Sequence, residues 1–283
     1  TLACAHDWHS LLARHAPLQT LAEQQPEQVL TLVYTSGTTG NPKGVMLSVQ
    51  AMAFTAASAC AELRMSPQDR FFSFLPLSHV AERFMVEFNS LYCGAPVAFV
   101  ESMETFAGDL RQTRPTVFFA VPRLWTRFQQ GVLEKLPQAK LTRLLRIPLL
   151  GRLVARKIRR GLGLDQARIM ISGAAAISPG LLDWYQALGL TLCEGYGMSE
   201  NVAYGCFNRP GHVRFGSVGR AMPGLEVRIA DDGEILFRSP TLMLGYYLEP
   251  EKTAEALQNG WLHTGDKGEL DRDVYLRITG RVK

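Results

Sequence analysis

The chain has 283 residues, 47% apolar and 20% charged, which excludes an intrinsically disordered protein and allows one large domain or two modest ones around a sizeable core. Five cysteines stand at 4, 60, 93, 193 and 206; an odd count with no Cys-x-x-Cys spacing argues against a disulfide framework or zinc ribbon and suits a reducing, cytoplasmic setting. The formal charge of +4 is local: Lys140, Arg143, Arg146, Arg152, Arg156, Lys157, Arg159 and Arg160 supply it, and without these eight the rest carries −4. Such a distribution argues against a general nucleic-acid binder.

In chain order, residues 1–28 form a lead-in with leucines in a mixed pattern and breaks at Pro17 and Pro26. No signal-peptide pattern is expected there. His6, His9 and His15 lie in it, with no acid or cysteine completing a set at metal-ligand spacing. Val29–Thr35 is a β-branched apolar run that reads as a buried strand. A Gly-rich stretch follows, then a helix from about Leu47 to Leu63. The longest uncharged stretch, Val45 to Ala61, holds Ser48, Gln50, Thr55 and Ser58 and reads as a buried helix, not a membrane span. Strands are predicted at Phe71–Leu75, Pro96–Val100, Thr116–Val121 and Arg168–Ser172. Helices are predicted at Val80–Leu91, Leu124–Leu136 and Pro179–Leu188, the last with proline in its first turn. This alternation implies an α/β fold of βαβ units with a mainly parallel sheet, over about 29–204. From 205 to 283 the texture becomes β-rich and barrel-like, with strands at Glu226–Ala230, Glu234–Arg238 and Val274–Thr279. Asp232-Gly233 marks a hairpin between the first two.

The most informative stretch is Thr35-Ser36-Gly37-Thr38-Thr39-Gly40-Asn41-Pro42-Lys43-Gly44. It follows a predicted strand. Its glycines let the backbone present N–H groups to an anion. Thr35, Ser36, Thr38 and Thr39 add hydroxyls, and Lys43 adds a point charge. Together they suit a polyphosphate. The loop is not a Walker A motif, because Gly44 follows Lys43 where that motif needs Ser or Thr.

Tyr34–Gly44 closely resembles the phosphate-loop signature of the adenylate-forming superfamily, whose members join a carboxylate to AMP and pass the acyl group to a thiol. The resemblance recurs, in the family's order, along nearly all of the chain. Glu194-Gly195-Tyr196-Gly197-Met198-Ser199-Glu200 looks like the second signature. It implies a flat face at Tyr196 for a purine, close approach at Gly197, a donor to the α-phosphate at Ser199, and Mg²⁺ held by Glu200 together with Thr39. Trp261-Leu262-His263-Thr264-Gly265-Asp266 implies Asp266 on the ribose hydroxyls. Thr279-Gly280-Arg281-Val282-Lys283 implies Arg281 near ribose and phosphate. Gly173, Ala174 and Ala175 resemble the small-residue lining of the adenine and acyl sites, where relatives often read Gly-Gly-Ala-Pro; Ala175 and Ala176 depart mildly. Leu75-Pro76-Leu77-Ser78-His79 implies His79 beside the substrate carboxylate. The implied catalytic residues are Lys43, Glu200 and His79. The His and Asn that relatives often carry just past the loop are replaced by Val49 and Ala51.

Glu82-Arg83-Phe84, Cys93-Gly94-Ala95 and Pro122-Arg123-Leu124-Trp125 look like the long-chain fatty acyl-CoA synthetase branch. The implied reaction activates a fatty acid with ATP and Mg²⁺ to acyl-AMP and transfers it to CoA, releasing AMP and pyrophosphate. Alternatives are an acyl-AMP ligase that loads a carrier protein, a non-catalytic nucleotide- or acyl-binding module, and a general P-loop NTPase. Relatives carry more chain before the phosphate loop and a small C-terminal domain after the G-R-x-K motif, so the resemblance implies a fragment that is slow or inactive by itself. The basic segment 140–160 alternates with leucines and is interrupted by Pro148. It has two readings: a peripheral contact with the inner face of an anionic membrane, or a solvated helix whose leucines pack on the core.

Overall fold

The computed structural model describes residues 7–20, 22–35 and 41–282. Helix α1 (Trp8–Arg14) starts at Asp7, whose carboxylate accepts the Ser10 N–H at 3.1 Å. Strands β1 (Val29–Thr35) and β2 (Lys43–Ser48) pair antiparallel, with Thr35 opposite Lys43. Ser48 ends β2 and caps α2 (Val49–Glu62) by accepting the Ala51 N–H at 3.0 Å. Then come β3 (Phe71–Ser73) and a helix in three parts: α3 (Val80–Glu82), a π-helical stretch (Arg83–Phe88) and α4 (Asn89–Cys93). It stops at Gly94, which takes the left-handed conformation (φ +69°) usual for a helix end.

Next are β4 (Val97–Phe99), α5 (Phe106–Thr113), β5 (Val117–Ala120) and α6 (Pro122–Lys135). The basic segment forms two helices, α7 (Gln138–Leu145) and α8 (Leu150–Leu162), broken around Pro148. Strand β6 (Ile169–Ser172), helix α9 (Pro179–Ala187) and strand β7 (Leu192–Tyr196) follow, then a 3₁₀ turn at Ser199–Asn201. The remainder is β8 (Cys206–Phe207), β9 (Arg220–Ala221), β10 (Glu226–Ile229), β11 (Glu234–Arg238) and β12 (Gly245–Tyr246). It closes with α10 (Pro250–Ala256), β13 (Leu257–Gln258), β14 (Trp261–Leu270) and β15 (Leu276–Arg281).

Strands β5, β6 and β7 run parallel at the centre, and β8 and β9 extend that sheet antiparallel. Period-two alternation splits the central strands between two cores. Val117, Phe119, Ile169, Ile171 and Cys193 face a core shared with α2 and the π-helical stretch. Phe118, Ala120, Met170 and Leu192 face a second core with α5, α6, α8 and α9. The sheet of β10, β11, β14, β13 and β15 has its own small core of Leu225, Ile235, Phe237, Leu262 and Leu276. Asp232-Gly233 does turn β10 back on β11.

Three expectations need correction. Strand β1 is not buried: it is the edge of the antiparallel sheet β1-β2-β12, only Val33 is buried, and Leu30, Leu32 and Tyr34 are exposed. The helix expected from Leu47 begins at Val49, because Leu47 still pairs with Thr31. The helix over Val80–Leu91 carries a π-helical middle and runs on to Cys93.

Buried Asp69 braces the starts of three strands. Its carboxylate accepts Arg168 Nε at 2.8 Å and Nη2 at 2.6 Å, Thr116 Oγ1 at 2.7 Å and the Ser66 N–H at 3.0 Å. Burial alone would raise its pKa, but the bonds from Arg168, Thr116 and Ser66 outweigh it and hold the carboxyl below its ordinary value. Its folded pKa is depressed, so its contribution is present above the unfolded pKa and is lost as pH falls through the folded one. Asp69→Asn should cost about 2 kcal/mol in urea denaturation at pH 7. The deficit should shrink as pH falls below about 4.

Candidate active site

The sheet ends converge on a cavity of about 730 Å³. We call its polar, glycine-rich lining the polar arm and its apolar lining the apolar arm. Gly195, Tyr196, Gly197, Ser199 and Glu200 line the polar arm from the end of β7 and the turn after it. Gly197 is required there: a Cβ would lie 2.5 Å from the Ala203 backbone. Gly173 and Ala174 line it from the end of β6, with Ala174 at φ +67°, a conformation that disfavours a side chain. Lys43 and Thr35 come from the paired ends of β2 and β1. Ala59 of α2, Leu63 just past its end, Phe84 and Met85 of the π-helical stretch, and Met222 line the apolar arm. A π-helical stretch widens a helix and often marks a functional site.

Two hydrogen-bonded groups organise the polar arm. In the first, Asp266 of β14 accepts the Tyr196 hydroxyl at 2.7 Å and Arg281 Nε at 2.9 Å. Burial pushes the Tyr196 phenol up, so it stays neutral and donates. In the second, buried Glu200 accepts the Tyr246 hydroxyl on Oε1 at 2.7 Å, and Lys43 Nζ sits 4.8 Å from the centre of the same tyrosine ring. Tyr246 engages one of the two Glu200 oxygens. A carboxylate held in this way is a hard oxygen donor that fits a Mg²⁺ ion sharing phosphate oxygens.

His79 stands at the cavity rim. Its Nδ1 accepts the Ala81 N–H at 3.1 Å, which leaves the proton on Nε2, and burial lowers its pKa. It is therefore a neutral donor near pH 7. Asp266 is not itself in the cavity wall but holds two residues that are. Ala175 is exposed and outside the wall. Glu194 is also outside the wall, paired in register with Ser172, and its Oε2 is buried with no hydrogen-bond partner among the described residues. Ser36, Gly37, Thr38, Thr39 and Gly40 lie outside the described residues.

The sequence reading passed over three contributors. Tyr246 ties Glu200 to Lys43. Glu234 accepts the Gly265 N–H at 2.8 Å and pairs with His263 Nδ1 at 2.7 Å, fixing the backbone just before Asp266. Thr264 Oγ1 donates to the Ile235 carbonyl at 2.8 Å. Only Thr264, inside the W-x-x-T-G-D pattern, had a signal; Tyr246 and Glu234 stand in no quoted pattern.

Burial pushes the Glu194 carboxyl up to about 7. Its folded pKa exceeds the unfolded value, so its ionisation destabilises the fold increasingly from about pH 4.5 to pH 7. Glu194→Gln should therefore raise Tm at pH 8 and change it little at pH 4.5, a difference read directly by calorimetry at the two pH values.

The chain matches the AMP-binding enzyme family over residues 4–247. It is 37% identical over 289 residues to a putative fatty-acid–CoA ligase, fadD11, of Mycobacterium tuberculosis, covering 92% of this chain and 51% of that protein. It is 34% identical over 303 residues to the long-chain-fatty-acid–CoA ligase ACSBG2 of Xenopus laevis, covering 94% and 41%. Among solved structures, ATP-bound MatB of Rhodopseudomonas palustris superposes with a TM-score of 0.75 at 28% identity, covering 93% of this chain and 50% of that one. The chain thus spans about half the length, or less, of the curated relatives it matches. With its fold shared with adenylate-forming enzymes and its family match running over residues 4–247, the chain belongs to the AMP-binding enzyme family.

Proposed function

We propose that this chain supplies the nucleotide and acyl sites of an ATP-dependent acid–thiol ligase acting on long-chain fatty acids. The observation that carries the reading is that one cavity is lined both by Lys43, Glu200, Tyr196 and Arg281 and by Ala59, Leu63, Phe84 and Met85. An acyl-adenylate has the same two-part character. The named relatives among fatty-acid–CoA ligases support the substrate class.

In the first half-reaction a carboxylate oxygen of the fatty acid attacks the α-phosphorus, an O–P bond forms, and pyrophosphate leaves with the electrons of the broken P–O bond. In the second, the CoA thiol loses its proton as sulfur attacks the acyl carbon, and AMP leaves. Mg²⁺, when bound at Glu200, neutralises phosphate charge. The chain's own groups do the positioning. Lys43 supplies a fixed positive charge for the phosphates, with Tyr246 holding it near Glu200. The neutral Nε2–H of His79 orients the substrate carboxylate. Tyr196 offers its ring to the purine, and Asp266 with Arg281 takes the ribose. The hydroxyls of Thr35 to Thr39 and Ser199 serve the phosphates. Gly173, Gly195 and Gly197 admit the nucleotide close to the backbone.

Carboxylate-dependent exchange of pyrophosphate into ATP tests the reading, and the relatives' greater length makes a non-hydrolysable alkyl-adenylate series a useful partner assay on this chain alone. Exchange and affinity should both rise with chain length, each added methylene contributing about 0.8 kcal/mol while the apolar arm fills. Glu200→Gln should lower exchange by about tenfold or more. Affinity independent of chain length would remove the long-chain assignment, and acyl transfer from the adenylate to a phosphopantetheinyl carrier but not to CoA would move the chain to the carrier-loading class.

A further inference from the structure

The basic segment resolves into two surfaces with different fates. The inner stripe of α8, Gly151, Val154, Ala155, Ile158 and Leu162, turns toward the protein, and Val154, Ile158 and Leu162 pack against the second core together with Leu145 of α7. That stripe follows helical spacing and answers the core-packing reading for those residues. It does not account for the tip. Ile147, Leu149, Leu150 and Leu153 are 44%, 72%, 40% and 63% exposed. They lie within seven residues along the α7–α8 junction and the first turn of α8. Leu149 is held at φ +64° after Pro148, so a bulky apolar residue occupies a conformation it disfavours while pointing its bulk to no partner in the core.

Exposed Arg143, Arg146, Arg152 and Arg156 rim this tip. None of the four forms an ion pair among the described residues. No acid lies between Glu134 and Asp165, so the rim carries one sign of charge throughout. A notch of about 330 Å³ sits in the tip, lined by Leu145, Arg146, Ile147, Pro148, Leu149 and Arg152. Its wall combines two guanidinium groups with apolar side chains.

The chemistry that satisfies both halves of this surface is an anionic lipid layer. Headgroup phosphates meet the guanidinium groups, and the acyl boundary takes the four apolar side chains out of water. The arginine stems can lie along that boundary while their heads stay in the phosphate layer. A nucleic acid would engage the arginines and leave the leucines wet. A second copy of this chain would bury the leucines but set one all-basic rim against another. No helix among the described residues is long and apolar enough to cross a membrane. We propose that the α7–α8 tip docks this protein on the surface of an anionic bilayer, with Ile147, Leu149, Leu150 and Leu153 inserted and the four arginines on the headgroups.

The proposal does not depend on the reaction assigned to the cavity. Co-sedimentation with vesicles of phosphatidylcholine alone, and of phosphatidylcholine with about 30% phosphatidylglycerol, tests it. Binding to the anionic vesicles should exceed binding to the neutral ones by at least about tenfold and should fall steeply in about 0.5 M salt. Each basic residue near such a surface is worth roughly fivefold, so Arg152→Ser with Arg156→Ser should weaken binding by about twentyfold. Leu149→Ser with Leu153→Ser should weaken it by about tenfold at unchanged salt dependence, with Tm preserved because both side chains are exposed. Equal binding to both vesicle types, no binding to either, or variants that bind like the parent would overturn the proposal. A dimer in sedimentation velocity that the leucine double variant dissolves would overturn it in favour of self-association.

Discussion

Asp266 is the constraint on which the cavity depends. It stands on β14, in the β-rich sheet, yet its carboxylate receives the hydroxyl of Tyr196 from the last position of β7 in the central sheet. Its other oxygen receives Arg281 from β15. At the cavity the two sheets are joined through this one charged group; away from it, the Val218 N–H donates to the Leu276 carbonyl and the Leu276 N–H to the Gly219 carbonyl, both at 2.9 Å or less. Hydrogen bonds to a carboxylate are stronger than those between neutral partners, so the seam is fixed tightly where it meets the cavity. Glu234, through the Gly265 N–H, holds the backbone next to it in place.

The central sheet makes that junction possible. Strands β5, β6 and β7 are apolar on both faces and are covered by helices on both sides, so their ends cannot shift without disturbing two cores. Their carboxyl ends deliver Gly173, Ala174, Gly195 and Tyr196 to one place. Parallel strands in an open α/β sheet generally leave such a crevice at their carboxyl ends. The antiparallel pair β1–β2 then brings Lys43 in from a different sheet, and Tyr246 on β12, paired with Val45, sets the cation beside Glu200. Charged and apolar side chains are therefore brought to the wall of the same cavity.

Much of this was legible from the residues, for identifiable reasons. Runs such as Val117–Ala120 and Ile169–Ser172 announce two-sided burial, and proline at the first turn announces α9. Of the residues that the family resemblance named, Thr35, Lys43, His79, Gly173, Ala174, Gly195, Tyr196, Gly197, Ser199, Glu200 and Arg281 line the cavity, while Ala175, Glu194 and Asp266 do not. Strand β2 escaped because its partner is reached through a seven-residue glycine-rich connection and not a tight turn, so no hairpin signal flags it. Strand β14 escaped because Gly265, Asp266 and Gly268 read as turn residues; irregular pairing with β11 and β15 accommodates them within a strand. Tyr246 and Glu234 escaped because their roles exist only in three dimensions: each contacts its partner across 29 or more residues. The exposed tip at 147–153 was half legible, since composition shows the basic rim but only the fold separates the leucines that reach the core from those that do not.

A nucleotide at the seam between Tyr196 and Asp266 is the central expectation. A crystal structure of the chain grown with AMP tests this most directly. The purine should lie against the Tyr196 ring, the ribose hydroxyls on Asp266, and the phosphate toward Ser199 and Lys43. AMP bound elsewhere on the surface, with the Tyr196–Asp266 and Arg281–Asp266 bonds unaltered and the cavity empty, would contradict it.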